Sequence, residues 1–174
     1  MANKDAEKSS LAFHEYVTAY AMEEFKDVKL LAAHVNGPGV LHTKTPVRTL
    51  DDLKGMRVRG ASRIVNITLE QLGAVPVGMP APAVSEALSK GVITATSLQW
   101  EVVPALRIQQ MVKNHTITHG ERGLYTGTFA FVMNRNTYDK LPPDLKKVID
   151  NNSGPQVAAL FGRAMNEGDQ RGID

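Results

Sequence analysis

The sequence predicts an α/β fold in which a parallel or mixed layer of strands is flanked by helices. The main observation is a regular succession of short apolar segments with strand and helix periodicity, joined by connections that contain glycine or proline. Their order is strand 56–59, helix 62–72, strand 74–79, helix 84–89 and strand 92–96. Because single helices connect successive strands over short distances, parallel pairing of the strands is favoured.

Length, charge and composition limit the classes of function. The chain has 174 residues, a formal net charge of +2 and scattered basic residues, so it can form a substantial core and gives no sign of a nucleic-acid partner. It contains no cysteine, which excludes disulfides and thiolate metal sites. No apolar run approaches membrane-spanning length, and residues 1–8 lack the order of a secretory signal peptide.

The chain begins with an amphipathic pattern that predicts a helix. Ser9 or Ser10 is expected to cap a helix that runs to about residue 25, and the alternative is a helix that begins a few residues earlier. An apolar run at 28–35 then predicts a largely buried strand, which the breaker sequence 36–39 ends. The helix is therefore expected to cover an apolar core.

A loop through residues 41–43 is expected to lead to the segment 50–60, around which the rest of the chain is organised. This segment predicts a short helical turn that stops at Gly55 and a strand in which apolar residues alternate with Arg57 and Arg59. An arginine that closes a strand can hold a carboxylate through two parallel hydrogen bonds. The alternative is a solvated arginine at a strand end.

The second half of the chain predicts further helices and two strands. A helix is expected from Trp100 to about residue 112, with Pro104 in its first turn or so. The remaining predicted elements are strands 114–118 and 124–133, helices 134–141, 142–152 and 156–167, and a frayed tail at 168–174.

The sequence does not assemble an acid, a base and a nucleophile, so an enzyme is not predicted. His115 and His119 lie four residues apart and share one face of a strand or a helix. A metal site at these residues is the alternative, but they have no convincing third ligand. We therefore predict no metal and no cofactor.

Three residues form a candidate binding site. Arg59 ends one strand, Trp100 follows another by four residues, and Phe129 lies within a third. Ligands of open parallel sheets occupy the crevice beyond the carboxyl ends of the strands, which is where Arg59 and Trp100 are expected. The alternative for Trp100 is simple packing at the start of a helix.

Several segments, in order and in spacing, are typical of one family. The most specific are LDDLKGMRVR (50–59), LGAVPV (72–77), EALSKGVI (86–93), WEVVPAL (100–106) and VMN (132–134) with Tyr138 and Leu141-Pro142. With these segments the chain resembles the solute-binding proteins of tripartite ATP-independent periplasmic (TRAP) transporters, the DctP-like family. The resemblance runs from about residue 28 to about residue 154.

The resemblance implies a fold and a set of site residues. The fold is that of a periplasmic binding protein (class II type), whose two lobes close on a small organic acid. Arg59 matches the family arginine that clamps the carboxylate, and Arg63 could meet a second anionic group. The other implied positions are Thr96 and Trp100 in a ligand-facing segment, the domain-crossing strand 124–133 that contains Phe129, and His42 in a loop facing the cleft.

The resemblance also implies a function and partners. The bound acid would be delivered to the membrane permease subunits of the transporter, and the family is periplasmic. The alternative is a binding lobe reused as a sensor or interaction module. We divide the chain into an N-terminal helix (1–27), an α/β lobe of C-terminal type (28–123) and a domain-crossing strand with C-terminal helices (124–174).

Three departures from the family pattern matter. The family's N-terminal lobe is expected to be missing, which predicts weak ligand binding and self-association through apolar surface on 124–133. Thr94-Ala95 stands where the family usually has Asp-Gly, so a turn-favouring pair is absent. Gly39 stands where some sialic-acid-type members have a second arginine, so their ligand class is not implied.

Overall fold

A computed structural model describes residues 4–120 and 122–174 and confirms the predicted α/β class. The chain forms two compact units. The first unit contains residues 4–37 and Thr126–Glu167, and the second contains Pro38–Tyr125 and Gly168–Asp174. None of the described helices is both long and apolar enough to cross a membrane.

The described residues form six α-helices and seven strands. The helices are α1 (Ala6–Tyr20), α2 (Arg63–Gln71), α3 (Val84–Ser89), α4 (Arg135–Asp139), α5 (Pro143–Asn151) and α6 (Pro155–Ile173). The strands are β1 (Val28–Pro38), β2 (Val40–Thr43), β3 (Arg57–Gly60), β4 (Val75–Gly78), β5 (Ala95–Leu98), β6 (Asn114–Thr116) and β7 (Thr126–Asn134). The glycine stops predicted after α2 and α3 are confirmed, because Gly73 and Gly91 have φ angles of 89° and 69°.

In the first unit, β1 and β7 form a two-stranded sheet and α1 packs on β1. Two buried polar side chains of α1 satisfy strand backbone groups. The Ser10 hydroxyl bonds both the N–H and the C=O of Val35, and His14 Nδ1 accepts from the Ala33 N–H at 3.1 Å. Ser10 is therefore not the helix cap, a role that Asp5 fills by accepting from the second and third residues of α1.

In the second unit, five strands form a mixed sheet in the order β4-β3-β5-β2-β6. β3 runs parallel to β4 and β5, whereas β2 is antiparallel to β5 and β6. Side chains alternate between the two faces, and each face has its own apolar cluster. One cluster contains Val84, Ala87, Leu88, Ile93, Leu98, Val103, Ile108 and Val112; the other contains Leu41, Leu53, Val58, Val65, Leu69, Ala74 and Ala95.

Three further sequence predictions of local structure are wrong. Residues 41–43 form part of β2 rather than a loop, because pairing with strands on both sides satisfies their backbone. The helix expected from Trp100 to residue 112 is replaced by two short 3₁₀ turns, separated by Arg107 in the left-handed conformation (φ 52°). The tail is not frayed, since α6 continues to Ile173.

The end of α6 is ordered by contacts within the second unit. Gly168 lies against the Glu101 side chain and Gly172 against the Trp100 carbonyl, where no Cβ would fit. The Asp169 carboxylate also accepts a hydrogen bond of 3.0 Å from the Glu101 N–H. Gly168 and Gly172, which lie in the tail predicted to be frayed, therefore allow α6 to approach residues 100 and 101 closely.

Candidate ligand-binding site

Three of the six predicted site residues lie in one row across the sheet of the second unit. Arg59 pairs with Thr96 across β3 and β5, and Thr96 pairs with His42 across β5 and β2. The row continues to Val77 on one side and to His115 on the other. Paired positions project from the same face of a sheet, so these side chains are neighbours.

Arg59 is the most unusual residue of this row. It is only 4% exposed, and its Nε and Nη1 donate to the carbonyls of Met79 (3.0 Å) and Ser97 (3.3 Å), beside the carboxyl ends of the parallel strands. A guanidinium has five N–H groups, so three remain without a hydrogen-bond partner among the described residues. Arg59 also forms no ion pair with any described residue.

Burial lowers the pKa of Arg59 from its usual 12.5, and the neighbouring Tyr125 phenol acts in the opposite direction. An arginine remains charged despite such a shift. A buried cation without a counter-ion is costly, and a carboxylate that satisfies its free N–H groups would offset that cost. The geometry therefore favours an anionic ligand at Arg59.

Thr96 lies between Arg59 and His42 and is fully buried. Its hydroxyl oxygen has no hydrogen-bond partner among the described residues. Buried hydroxyl groups are usually satisfied. The Thr96 hydroxyl is therefore free to form a hydrogen bond with a polar group that is not among the described residues, such as a ligand.

His42 lies in β2, fully buried, and both ring nitrogens are engaged. Nε2 lies 3.3 Å from the Leu98 carbonyl, and Nδ1 lies 2.7 Å from Nδ1 of His115. Because a carbonyl only accepts, His42 carries its proton on Nε2 and accepts at Nδ1 from His115. Burial, followed by the charge of His115, lowers the pKa of His42 to about 4.

Trp100 packs against this histidine pair. Its ring centroid lies 5.0 Å from that of His42 and 4.9 Å from that of His115. These contacts agree with the packing alternative for Trp100 and leave its ligand role a prediction. No group of three or more metal-ligating side chains occurs among residues 4–120 and 122–174.

Arg63 and Phe129 lie outside the row. Arg63 is the first residue of α2, after the capping Ser62, and its side chain is exposed. Phe129 belongs to the first unit, where it is 49% exposed and stacks on His34 with a centroid distance of 5.3 Å. Their proposed ligand contacts remain predictions.

Sequence reasoning missed three polar residues next to Arg59. Ser97 supplies the carbonyl that holds its guanidinium, and the Ser97 hydroxyl donates to the Tyr125 phenol at 3.0 Å. Burial raises the pKa of Tyr125, and the smaller opposing effects of Ser97, Arg59 and Gln99 lower it. No local motif marks Tyr125, because its position depends on a distant segment of the chain.

A separate cavity of about 430 Å³ lies within the second unit. Its described lining includes none of the six predicted residues and is mostly apolar: Gly39, Leu41, Val47, Leu50, Leu53, Leu72, Ile117 and Leu124, with Arg48, Thr49, Thr116 and Thr118. We place the candidate site at Arg59 rather than in this cavity, because Arg59 is a buried charge that has no counter-ion among the described residues.

A mixed α/β sheet with a buried arginine beside the ends of parallel strands, unpaired among the described residues, is the architecture expected of a lobe from a solute-binding protein. The profile of the bacterial extracellular solute-binding protein family 7, DctP, matches residues 2–170. The chain therefore belongs to this family, and the resemblance found in the sequence is confirmed.

Solved structures show the same fold. The TRAP solute-binding protein of Rhodoferax ferrireducens T118, in complex with copurified benzoate, is 46% identical with a TM-score of 0.94, over 99% of this chain and 54% of that chain. A marine metagenome TRAP protein specific for aromatic acid ligands, with 3-hydroxybenzoate, is 43% identical with the same TM-score and the same coverage. A Bordetella bronchiseptica protein with bound mandelate is 27% identical, with a TM-score of 0.92, and covers 98% of this chain and 55% of that chain.

Curated relatives agree with the family assignment. The C4-dicarboxylate-binding periplasmic protein DctP of Rhodobacter capsulatus is 26% identical over 149 residues, which are 84% of this chain and 43% of that protein. The chain spans about half the length of the solved relatives and 36 to 44% of the length of the curated ones. The periplasmic-binding-protein fold predicted from the sequence is thus confirmed.

Proposed function

We propose that the chain is part of the extracytoplasmic solute-binding component of a TRAP transporter, which captures a small organic acid through Arg59 and delivers it to a membrane permease. The observation that carries the proposal is the buried guanidinium with three free N–H groups and no described counter-ion. A carboxylate matches both the charge and the planar geometry of this group. The protein is a receptor rather than an enzyme.

The proposed ligand is an aromatic monocarboxylate. Three solved relatives support this class, because their bound ligands are benzoate, 3-hydroxybenzoate and mandelate. Over the aligned residues, two of these relatives are 43% and 46% identical to the chain. Benzoate is therefore the appropriate probe.

Substitution of Arg59 is expected to weaken benzoate binding about tenfold or more, because charge-assisted hydrogen bonds to the carboxylate are lost. Chemical-shift titration of the chain with benzoate suits the measurement, since it also detects weak binding. The variants are Arg59→Ala and Arg59→Lys, where lysine keeps the charge but loses the two-pronged geometry. Thermal unfolding checks that each variant is folded.

Arg57→Ala is the matched control. Arg57 lies on the same strand but is exposed, and its Nη2 donates to the Gly91 carbonyl at 2.6 Å. This variant is expected to bind benzoate like the wild type. Unchanged benzoate affinity in a folded Arg59→Ala protein would contradict the arginine assignment.

Self-association of the chain through β7 is a further prediction. Phe129 and Phe131 project from the same face of this strand and are 49% and 47% exposed. An apolar patch of this kind favours contact with a second copy. Light scattering over a range of protein concentrations should therefore show dimers or larger species, and a monomer at every concentration would count against the prediction.

A further inference from the structure

Tyr125 is held in place by a close approach of two segments of the second unit. The Gly39 N–H donates to the Tyr125 carbonyl at 2.9 Å. A Cβ at position 39 would overlap the Tyr125 ring, and a Cβ at Gly123 would overlap Pro38. Gly39 therefore allows the Tyr125 ring to lie against the backbone at residue 39, and Gly123 allows its segment to approach Pro38.

The phenol of Tyr125 and the guanidinium of Arg59 share one anchor. The Ser97 hydroxyl donates to the phenol oxygen at 3.0 Å, and the Ser97 carbonyl accepts from Arg59 Nη1 at 3.3 Å. Gln99, which is 5% exposed, also hydrogen-bonds the phenol. The phenol and the Arg59 guanidinium are therefore linked through Ser97 and influence each other electrostatically, and Arg59 is the only buried arginine among the described residues.

The phenol keeps a hydrogen that nothing described accepts. A phenolic oxygen can accept two hydrogen bonds and donate one. The Ser97 hydroxyl donates to it, and its own O–H donates to no described acceptor. Burial raises the pKa of Tyr125 above its usual 10, so the hydroxyl stays protonated at neutral pH.

We propose that Tyr125 donates this hydrogen to the carboxylate that Arg59 holds, and so acts as a second anchor that selects acceptor-only ligand groups. This inference rests on the proposed function, because it needs a carboxylate at Arg59. Gly39 is needed for this arrangement, because any larger residue at position 39 would displace the Tyr125 ring.

Tyr125→Phe tests the role of the hydroxyl, because it removes one oxygen atom and keeps the ring against Gly39. The expected result is an affinity for benzoate about tenfold lower than in the wild type, by chemical-shift titration. Tyr16→Phe is the matched control, because Tyr16 is 53% exposed and lies in the first unit. It is expected to bind benzoate unchanged.

Gly39→Ala is the second variant, and it keeps the phenol but displaces it. It is expected to lose benzoate affinity to a similar extent. Wild-type affinity in Tyr125→Phe, with a loss in Arg59→Ala, would overturn the Tyr125 proposal and leave the arginine assignment intact. Wild-type affinity in Arg59→Ala would overturn both.

Discussion

Acidification from pH 7 to pH 4 is expected to lower the free energy of unfolding of the second unit by roughly 3 kcal/mol through His42 alone. The pKa of the buried ring is about 4, against 6.5 for the ordinary side chain. Between these two values the unfolded chain binds a proton at this position and the folded chain does not. Stability therefore falls as the pH falls through this window, and it is fully restored above about 6.5.

The contacts of His42 explain the direction of this effect. A proton on Nδ1 would remove the acceptor for His115, and the buried charge would lie against Trp100 without a counter-ion. His115 is exposed and donates through its Nδ1, so protonation of its Nε2 leaves the bond in place. Burial also lowers the pKa of His115, but the large shift, to about 4, belongs to His42.

Denaturant unfolding at pH 7 and pH 4 measures the effect. Trp100 is the single tryptophan of the chain and packs on His42, so its fluorescence reports the second unit. In His42→Gln the amide can still donate to the Leu98 carbonyl, but position 42 no longer binds a proton. The decrease in the free energy of unfolding between pH 7 and pH 4 should therefore be roughly 3 kcal/mol smaller than in the wild type. His119→Gln, at an exposed position, is the control and should behave like the wild type. An equal loss in His42→Gln would refute the assignment.

Local chemistry explains which parts of the fold the sequence predicts. The Ser62 hydroxyl caps α2 and Gly73 ends it in the left-handed conformation, as the sequence indicates. The strand that carries Arg59 is predicted because apolar and charged residues alternate along 56–59. These signals act within a few residues, so they are visible without the tertiary structure.

Non-local pairing explains what the sequence does not predict. Residues of β2 form a strand because β5 and β6, more than 50 and 70 residues away, pair with them. The row that brings Arg59, Thr96 and His42 together depends on the register of three strands. Tyr125 is missed for the same reason, since only the close approach to Gly39 places its phenol near Arg59.

Gly162→Ala is expected to lower the free energy of unfolding of the first unit by about 2 to 3 kcal/mol, although alanine is the better helix former. Gly162 is buried in α6 where it crosses α1. A Cβ there would lie 2.5 Å from Glu7 Cα and 2.6 Å from the Ala6 carbonyl oxygen. Both are backbone atoms at the start of α1, so relief requires the two helices to move apart.

Such a movement would also break polar contacts between the same two helices. The Asn166 side chain accepts from the Ala6 N–H at 2.8 Å and donates to the Asp5 carboxylate at 3.1 Å, and Arg163 pairs with Glu7 at 2.6 Å. The Asn166 contact satisfies the N–H of Ala6, which has no partner within α1, and the other two contacts join side chains of the two segments. Their loss adds to the steric cost of the Cβ.

The sign of the result separates close packing from helix propensity. Propensity alone predicts a gain of about 1 kcal/mol for this change, whereas the contact with α1 predicts a loss. Denaturant unfolding followed by circular dichroism measures the difference, with Glu167→Ala, an exposed position on the same helix, as the control. A stabilised Gly162→Ala protein would show that α1 can shift freely. Benzoate binding should be unchanged while the variant is folded, because Arg59 lies in the second unit and only the stability of the first unit is altered.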